Sequence, residues 1–199
     1  MRTNVGSSSA RQEESLEEKL YIALMREKWD VVVNIFRDHP LVHDKKMADM
    51  VMPKNESPDS HYDESRFDTA LHWAITNEAP ESIVEKLVNE IANTGNGRAS
   101  QTLQAKDDKG DTPLHCAASR GSIAICRHIT CVCPPLVLER NNVGETPLFL
   151  AALNGHQQTF LYLHSTCMEV EPMLPASIWK RNDGDTILHF TIRRKHFGQ

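Results

Sequence analysis

Three cysteines lie close together in the sequence, and thiolates at short spacing are common zinc ligands. Cys126, Cys131 and Cys133 are spaced C-x4-C-x-C, with His115 and Cys116 upstream. A structural zinc site takes four nitrogen or sulfur ligands in a tetrahedron, commonly from C-x2–4-C knuckles. The observed spacing departs from that pattern, and Cys126 occupies a core position of a predicted helix. We therefore expect buried, reduced thiols. A zinc site is the alternative, which elemental analysis of the purified protein would reveal.

Other catalytic chemistries lack the motifs that they require. A serine or cysteine nucleophile needs a base, an orienting carboxylate and oxyanion donors, and the G-x-S-x-G elbow is absent. The phosphate-binding strings G-x-x-x-x-G-K-[ST] and G-x-G-x-x-G are absent as well. Three of the ten histidines recur at one position of a repeat, which favours structural roles for them. We predict no catalytic residue, no metal and no cofactor, and hence a protein that is not an enzyme.

Charge argues against a nucleic-acid partner. The chain has 22 Lys and Arg against 27 Asp and Glu, a net charge of −5. Binding to phosphates normally needs a basic surplus. The cluster Arg193-Arg194-Lys195-His196 could contact a phosphate or a lipid headgroup. We favour the alternative that it is the solvated end of a helix, where cations also suit the helix dipole.

Local composition predicts a cytoplasmic location. The first nine residues lack the apolar core of a secretory signal. Apolar runs such as Pro147 to Leu153, with seven residues, are far shorter than the roughly 20 residues that a membrane-spanning helix needs. Five cysteines, an odd number, do not suggest a disulfide scaffold. We therefore expect reduced thiols and no membrane span in this chain.

A repeat must position these residues, because one short string recurs along the chain. The copies start 43, 34 and 40 residues apart. They are Thr69-Ala70-Leu71-His72, Thr112-Pro113-Leu114-His115, Thr146-Pro147-Leu148-Phe149 and Thr186-Ile187-Leu188-His189. Threonine can cap a helix start, and proline suits the first helical position because it has no amide to leave unpaired. Each string therefore predicts the beginning of a helix.

Turn residues precede three of the strings. The segments 107–111, 141–145 and 182–185 combine Asp or Asn with a glycine. Glycine supplies the positive φ of a tight turn, and Asp or Asn can bond nearby backbone amides. In three of the four strings a histidine lies one turn above the threonine and can bond that threonine or the neighbouring loop. We expect these bonds to tie successive turns together.

A second helix is predicted after each first helix. These helices cover Glu81 to Ile91, about Ser122 to Thr130, and about His156 to Ser165, with one apolar stripe in the first of them. Upstream, Ser15-Leu16-Glu17-Glu18 is a capping box that opens a helix, and a further helix covers about Asp30 to Asp38. This first pair lacks the Thr-Pro-Leu-His string, as expected of an atypical capping unit.

The pattern resembles the ankyrin repeat, a turn plus two antiparallel helices with a period near 33 and a T-P-L-H-x-A signature. The resemblance implies an all-α ankyrin-repeat solenoid of helix-turn-helix units with short β-turn tips. The string from Arg181 to His189 in particular resembles plant ankyrin-repeat membrane proteins, whose cytosolic repeats precede a C-terminal PGG domain with membrane spans. Two positions depart from the family pattern. Phe67 replaces a turn glycine and alters that turn, and Phe149 replaces a histidine and removes one side-chain bond.

These patterns divide the chain into eight segments, with about ten extra residues between the second and third units and about seven before Trp179. The segments are a disordered tail (1–14), a capping helix pair (15–40), a long flexible connection (41–66), a repeat (67–92), a loop insertion (93–105), a repeat (106–139), a repeat with a loop insertion (140–179) and an incomplete repeat (180–199). The last repeat ends before a second helix and leaves Phe190, Ile192 and Phe197 uncovered. We expect the natural protein to continue beyond Gln199.

Variable polar residues at turn tips and first-helix ends are the predicted contact residues. Such positions can bind a partner without disturbing the core. They are Arg66, Asp68, Thr76, Asn77, Lys106, Asp108, Lys109, Asp111, Ser119, Arg120, Arg140, Asn142, Val143, Glu145, Leu153, Asn154, Lys180, Asn182, Asp183, Asp185, Arg193 and Arg194. Their mixed charge predicts a protein partner on the concave face of a non-catalytic scaffold. The family resemblance implies an alternative, the cytosolic regulatory part of a plant membrane protein in stress or defence signalling.

Overall fold

The computed structural model describes residues 15–46, 69–95 and 97–190, and within them the fold is a stack of helix pairs. The first helices of successive pairs pack on one another, and the second helices form a parallel outer layer. In chain order the helices are α1 (Leu16–Met25), α2 (Trp29–Asp38), α3 (Ala70–Thr76), α4 (Glu81–Ala92), α5 (Arg98–Leu103), α6 (Pro113–Arg120), α7 (Ile123–Val132), α8 (Pro147–Leu153) and α9 (Gln157–Val170). This arrangement confirms the predicted all-α solenoid.

Helix starts follow the capping chemistry of the sequence. The Ser15 hydroxyl accepts a hydrogen bond from the Glu18 backbone, and the Glu18 carboxylate accepts one in return from the Ser15 amide, which confirms the predicted capping box. Thr69 and Thr112 begin α3 and α6 in the same reciprocal way, with a histidine in place of the glutamate. These contacts satisfy amides that a helix start leaves without a partner.

The residues directly after α2, up to Lys46, are ordered. A 3-10 turn over Pro40–Val42 follows α2, and both Val42 and His43 are buried. Lys46 then pairs with Thr69 in an antiparallel bridge. The first residues of the predicted flexible connection (41–66) are therefore ordered, because His43 packs against Phe36 of α2. The remainder of this connection, the predicted disordered tail (1–14) and the turn that Phe67 is predicted to alter lie outside the described residues.

The first predicted loop insertion contains helix instead, and the second is shorter than predicted. The insertion over 93–105 forms α5, which buries Thr102 and Leu103. In the later unit α9 extends to Val170 rather than ending near Ser165, and a 3-10 turn follows over Ala176–Trp179. Burying the apolar side chains of the extra residues stabilises the folded state, which favours helix in these segments. The repeat length alone predicts loop there.

One continuous apolar core runs through the described helices. It includes Leu20 and Phe36 of the capping pair, Leu87 of α4, Leu114 of α6 and Leu163 of α9, all fully buried. The small side chains of Ala117, Ala118 and Ala151 are fully buried as well. The core holds the turn segments in a row along one edge of the stack.

Candidate functional site

The turn segments form a hydrogen-bonded ladder at the edge of the solenoid, which we call the tip ladder (107–111, 141–145 and 181–185). Within each turn the first amide donates to the carbonyl of the residue four positions later, at 3.0, 2.9 and 2.8 Å. Gly110, Gly144 and Gly184 adopt φ of +77°, +87° and +95°. Only glycine adopts this region without strain. The glycine positions in the sequence thus determine the turn geometry.

Backbone and asparagine side chains join each turn to the next. The Asn142 amide donates to the Lys109 carbonyl at 3.0 Å, and the Asn182 amide donates to the Val143 carbonyl at 2.9 Å. The side-chain amides add a second pair of bonds, from Asn142 to the Asp108 carbonyl at 2.9 Å and from Asn182 to the Asn142 carbonyl at 3.0 Å. Four bonds therefore fix the three turns relative to one another.

Two buried histidines connect the first helices to the tip ladder. The Nε2 atoms of His72 and His115 donate to the carbonyls of Asp111 and Glu145, at 3.0 and 3.1 Å. A carbonyl can only accept, so Nε2 carries the proton and Nδ1 is free to accept. Each Nδ1 lies 2.8 Å from the hydroxyl of the threonine three residues earlier. The prediction that histidines tie successive turns together is confirmed for these two units.

Phe149 replaces the histidine of its unit, and the threonine there changes partner. The Thr146 hydroxyl still caps α8 by accepting from the Phe149 amide at 3.1 Å. Its proton goes to the Ile178 carbonyl at 3.1 Å, in the next unit along the chain. The histidine bond is lost as predicted, but a direct threonine bond to the next unit takes its place.

A buried polar network lies behind the tip ladder. The Asn141 side-chain amide donates to the carboxylates of Asp111 at 2.8 Å and Glu145 at 3.2 Å. Arg181 forms an ion pair with Glu145 at 3.3 Å. Burial raises the pKa of Asp111 to about 6, aided by the charges of Asp107 and Glu145 and opposed by the Asn141 hydrogen bond and Lys109. Sequence reasoning identified Asn141 only as a turn residue, because its contacts across turns depend on how the units stack.

Several predicted contact residues hold the stack together through their own side chains. Lys106 bonds the Arg140 carbonyl and pairs with Glu139, both at 3.0 Å. Arg140 donates to the carbonyls of Gly144 and Lys180, at 2.9 and 2.8 Å. Their polar groups therefore have partners inside the protein. The same holds for Asp111 and Glu145 in the buried network.

First-helix ends are linked in the same manner. Arg120 donates to the Thr76 carbonyl at 2.8 Å and pairs with Glu78. Asn154 donates to the Ser119 hydroxyl at 3.2 Å. The Asn77 side chain bonds the carbonyl of Trp73 within its own helix. Most polar groups at these ends connect neighbouring units.

The remaining predicted contact residues differ in exposure. Arg66, Asp68, Arg193 and Arg194 lie outside the described residues. Leu153 and Asp185 are half-buried, and Lys180 is exposed. The exposed side chains of the tip ladder are those of Asp108, Lys109, Asn142, Val143, Asn182 and Asp183.

A further histidine contact was missed by sequence reasoning. His156 follows α8, and its Nε2 donates to the Ser119 carbonyl at 2.9 Å. The nearby Thr159 hydroxyl donates to the Gly121 carbonyl at 2.8 Å. In the sequence, the position of His156 directly after Asn154-Gly155, at the end of a first helix, could have indicated this contact. Its partner depends on how α8 packs on α6.

The cysteines do not converge on a metal site within the part of the chain that the structure describes, where no group of three or more His, Cys, Asp or Glu side chains could hold an ion. Cys126, Cys133 and Cys167 are buried, and Cys131 is exposed. Burial raises the pKa of both Cys126 and Cys167 to about 12. At neutral pH these two thiols stay protonated and unreactive.

Thiol labelling should separate these cysteines by rate. We expect Cys131 to react rapidly with Ellman's reagent in the native protein, and Cys126 and Cys167 to react at least roughly a hundredfold more slowly because they must first become exposed. The Cys131→Ser variant should lose one equivalent of the fast phase. Rapid labelling of all five thiols in the folded protein would contradict the buried positions.

Comparisons with known proteins agree with this architecture. Residues 43–132 match the family model of ankyrin repeats. A curated relative, Protein ACCELERATED CELL DEATH 6 of Arabidopsis thaliana, is 30% identical over 101 residues, which cover 47% of this chain and 15% of the relative. This chain therefore spans only a small part of that relative's length. Among the described residues, no helix is both long and apolar enough to cross a membrane.

The residues that match the family model are also residues that start stacked helices. Thr69 and Thr112 both fall within the matched residues, and both start first helices of the stack. The unit that begins at Thr146 continues the same packing beyond the match. Residues 43–132 thus match ankyrin repeats, and the chain resembles the repeat-bearing part of the plant ankyrin-repeat membrane proteins.

Proposed function

We propose that the chain is a non-catalytic scaffold that binds a protein through the concave face of its ankyrin stack. The observation that carries this proposal is the tip ladder, which holds a row of exposed side chains on a fixed backbone. Binding surfaces that are ordered in advance lose less conformational entropy on association. The bonds between turns use only backbone groups of Asp108, Lys109 and Val143, so these three side chains can vary without disturbing the ladder.

The chemistry of the tips fits a protein surface. Asp108 and Lys109 are exposed charges of opposite sign on one turn, and Val143 is an exposed apolar side chain on the next. Asp183 adds a negative charge on the third turn. Protein interfaces combine apolar contacts with a polar rim, whereas a phosphate backbone selects a basic row.

The observed contacts refine which residues should be changed in a test. Arg120 and Asn154 hold neighbouring first helices together, so their replacement also weakens the stack. The side chains of Lys109 and Val143 are exposed at the tips, while the ladder uses their backbone groups. Changes to these two side chains therefore test binding with little effect on folding.

The double variant Lys109→Glu and Val143→Arg should lose the bound protein. The immobilised full chain captures specific partners from a cell extract, and we expect the captured amount to fall at least tenfold in this variant. The reason is that one charge is reversed and one apolar contact is removed. Quantitative mass spectrometry of the captured proteins provides the measurement.

A matched control variant is Lys86→Glu and Leu161→Arg. It makes the same two changes on exposed positions of the second helices α4 and α9. We expect it to capture the same proteins as the unmodified chain, with both variants retaining the native circular dichroism. Equal capture by all three proteins would exclude the tip ladder as the binding surface.

A second candidate function follows from the relative. We propose that the repeats serve, in the cytoplasm, as the regulatory part of a plant membrane protein in stress or defence signalling. The similarity to an Arabidopsis protein whose name refers to accelerated cell death supports this proposal. Sequencing the transcript downstream of the codon for Gln199 tests it. An apolar stretch of about 20 codons supports the membrane version, and a stop codon contradicts it.

A further inference from the structure

The loop after α9 carries apolar side chains that the repeat stack does not bury. Met173 is 86% exposed, and Met168 near the end of α9 is 43% exposed. Pro172 and Pro175 restrict the backbone on either side of Met173. Single exposed apolar side chains are common on proteins. Met173 differs because it also lines a cavity.

The cavity beside this loop has a volume of about 330 Å³. Its apolar walls come from Leu138, Met173, Pro175 and Ile178. This volume lies at the lower end of the range for binding pockets. Methionine adapts its flexible side chain to different apolar groups. The cavity is therefore suited to one large apolar side chain.

The charges around the cavity favour a cation next to that side chain. Glu171 lines the cavity, Glu169 is exposed nearby in sequence, and the segment 165–178 contains no Lys or Arg. Arg140 also lines the cavity, but its guanidinium group donates to the carbonyls of Gly144 and Lys180. The Lys180 side chain lies along the turn, with Cε at 3.5 Å from the Cβ position of Gly184. These contacts direct both cations toward the tip ladder, although Arg140 keeps its positive charge at the cavity wall. The loop itself carries the two negative charges of Glu169 and Glu171, so the loop side of the cavity is negative.

We propose that this cavity docks a protein segment that places one large apolar side chain next to a lysine or an arginine. The apolar side chain enters between Leu138, Met173 and Ile178. The adjacent cation pairs with Glu171. Opposite charges at the rim of an interface select the partner and its register. This site is separate from the exposed tip side chains and does not depend on the proposed function.

Fluorescence anisotropy with short labelled peptides tests the proposal on the full chain. The probe is fluorescein-Gly-Ser-Lys-Lys-Leu-Lys-Ser-Gly. Two companion peptides replace either every lysine by glutamate or the leucine by glycine. We expect the probe to bind at least tenfold more tightly than either companion, because each companion lacks one of the two recognised groups.

Variants then locate the site. Met173→Asp with Glu171→Lys should weaken probe binding at least tenfold, and Met173→Ser alone should weaken it less. The matched control is Leu41→Asp with Asp38→Lys, since Leu41 is 64% exposed and Asp38 is also exposed. The control and the tip variant Lys109→Glu with Val143→Arg should bind the probe normally. No saturable binding by the unmodified chain, tight binding of the glutamate peptide, or unchanged binding by the Met173 variants would overturn the proposal.

Discussion

Acidification from pH 7 to pH 5 should destabilise the folded protein by about 3 kcal/mol. The main cause is the burial of His72 and His115, whose pKa values fall to about 4 and about 3 through desolvation. A histidine in the unfolded chain has a pKa near 6.5 and takes up a proton in this interval. The buried rings of His72 and His115 take up almost no proton in this interval, so acidification favours the unfolded state.

The sign follows from the lowered pKa values. Each histidine contributes its full stabilisation above pH 6.5, and this contribution declines as the pH falls toward the folded-state pKa. Between pH 7 and 5 each contributes a loss of about 2 kcal/mol. Asp111 acts in the opposite direction, because its raised pKa of about 6 lets the folded state take up a proton first. After allowance for solvent screening, that gain is at most about 1 kcal/mol, so the histidines dominate.

Urea denaturation at pH 7 and pH 5 measures this effect. The double variant His72→Gln with His115→Gln should be less stable at pH 7 but should lose the decline toward pH 5. If the double variant does not fold, each single variant should show about half of the decline. His189→Gln is the matched control, because His189 occupies the same repeat position but is exposed. An undiminished decline in the double variant would contradict the role of the buried rings.

The Gly110→Ala substitution should lower the stability of the folded protein by about 3 kcal/mol. Gly110 adopts φ of +77°, which strains alanine by about 1 kcal/mol or more. A Cβ there would lie 2.7 Å from the Asn142 backbone nitrogen and closer still to the Asn142 side-chain oxygen. The backbone of the next turn must therefore move, which breaks the bonds to Lys109 and Asp108.

Gly155→Ala is the control for the Gly110 substitution. Gly155 has nearly the same φ, +75°, but a Cβ there would meet no atom within 4 Å. We expect this variant to lose only the strain of about 1 kcal/mol. The difference between the two urea midpoints measures the contribution of close packing between turns. Equal losses in both variants would show that the tip ladder contributes nothing beyond local backbone geometry.

Local chemistry made the repeat elements predictable. Ser15, Thr69 and Thr112 each begin a helix where their capping patterns predict one, because a cap involves residues only three positions apart. Glycines at fixed places in the turns likewise indicated positive φ. The sequence alone therefore determined the starts of these helices and the conformation of the turns.

Insertions were predicted less well than repeats. A departure from the period shows that residues are added, but not whether they form helix. Leu103 is fully buried in α5, which packs against α4 and α7. The extra residues after Ser165 lengthened α9 in the same way. Such outcomes depend on space in the neighbouring layers, which a period does not describe.

Only the tertiary structure decided which polar side chains remain available for binding. Lys106, Arg140 and Lys109 have similar charges and occupy similar variable positions in the repeats. Lys106 and Arg140 bond carbonyl groups of other units, whereas the Lys109 side chain projects from its tip. A hydrogen-bond partner some 30 to 40 residues away is determined by the offset between stacked units. The sequence thus determined the repeat scaffold and the candidate positions, and three-dimensional stacking separated the side chains that hold the scaffold from those that remain exposed.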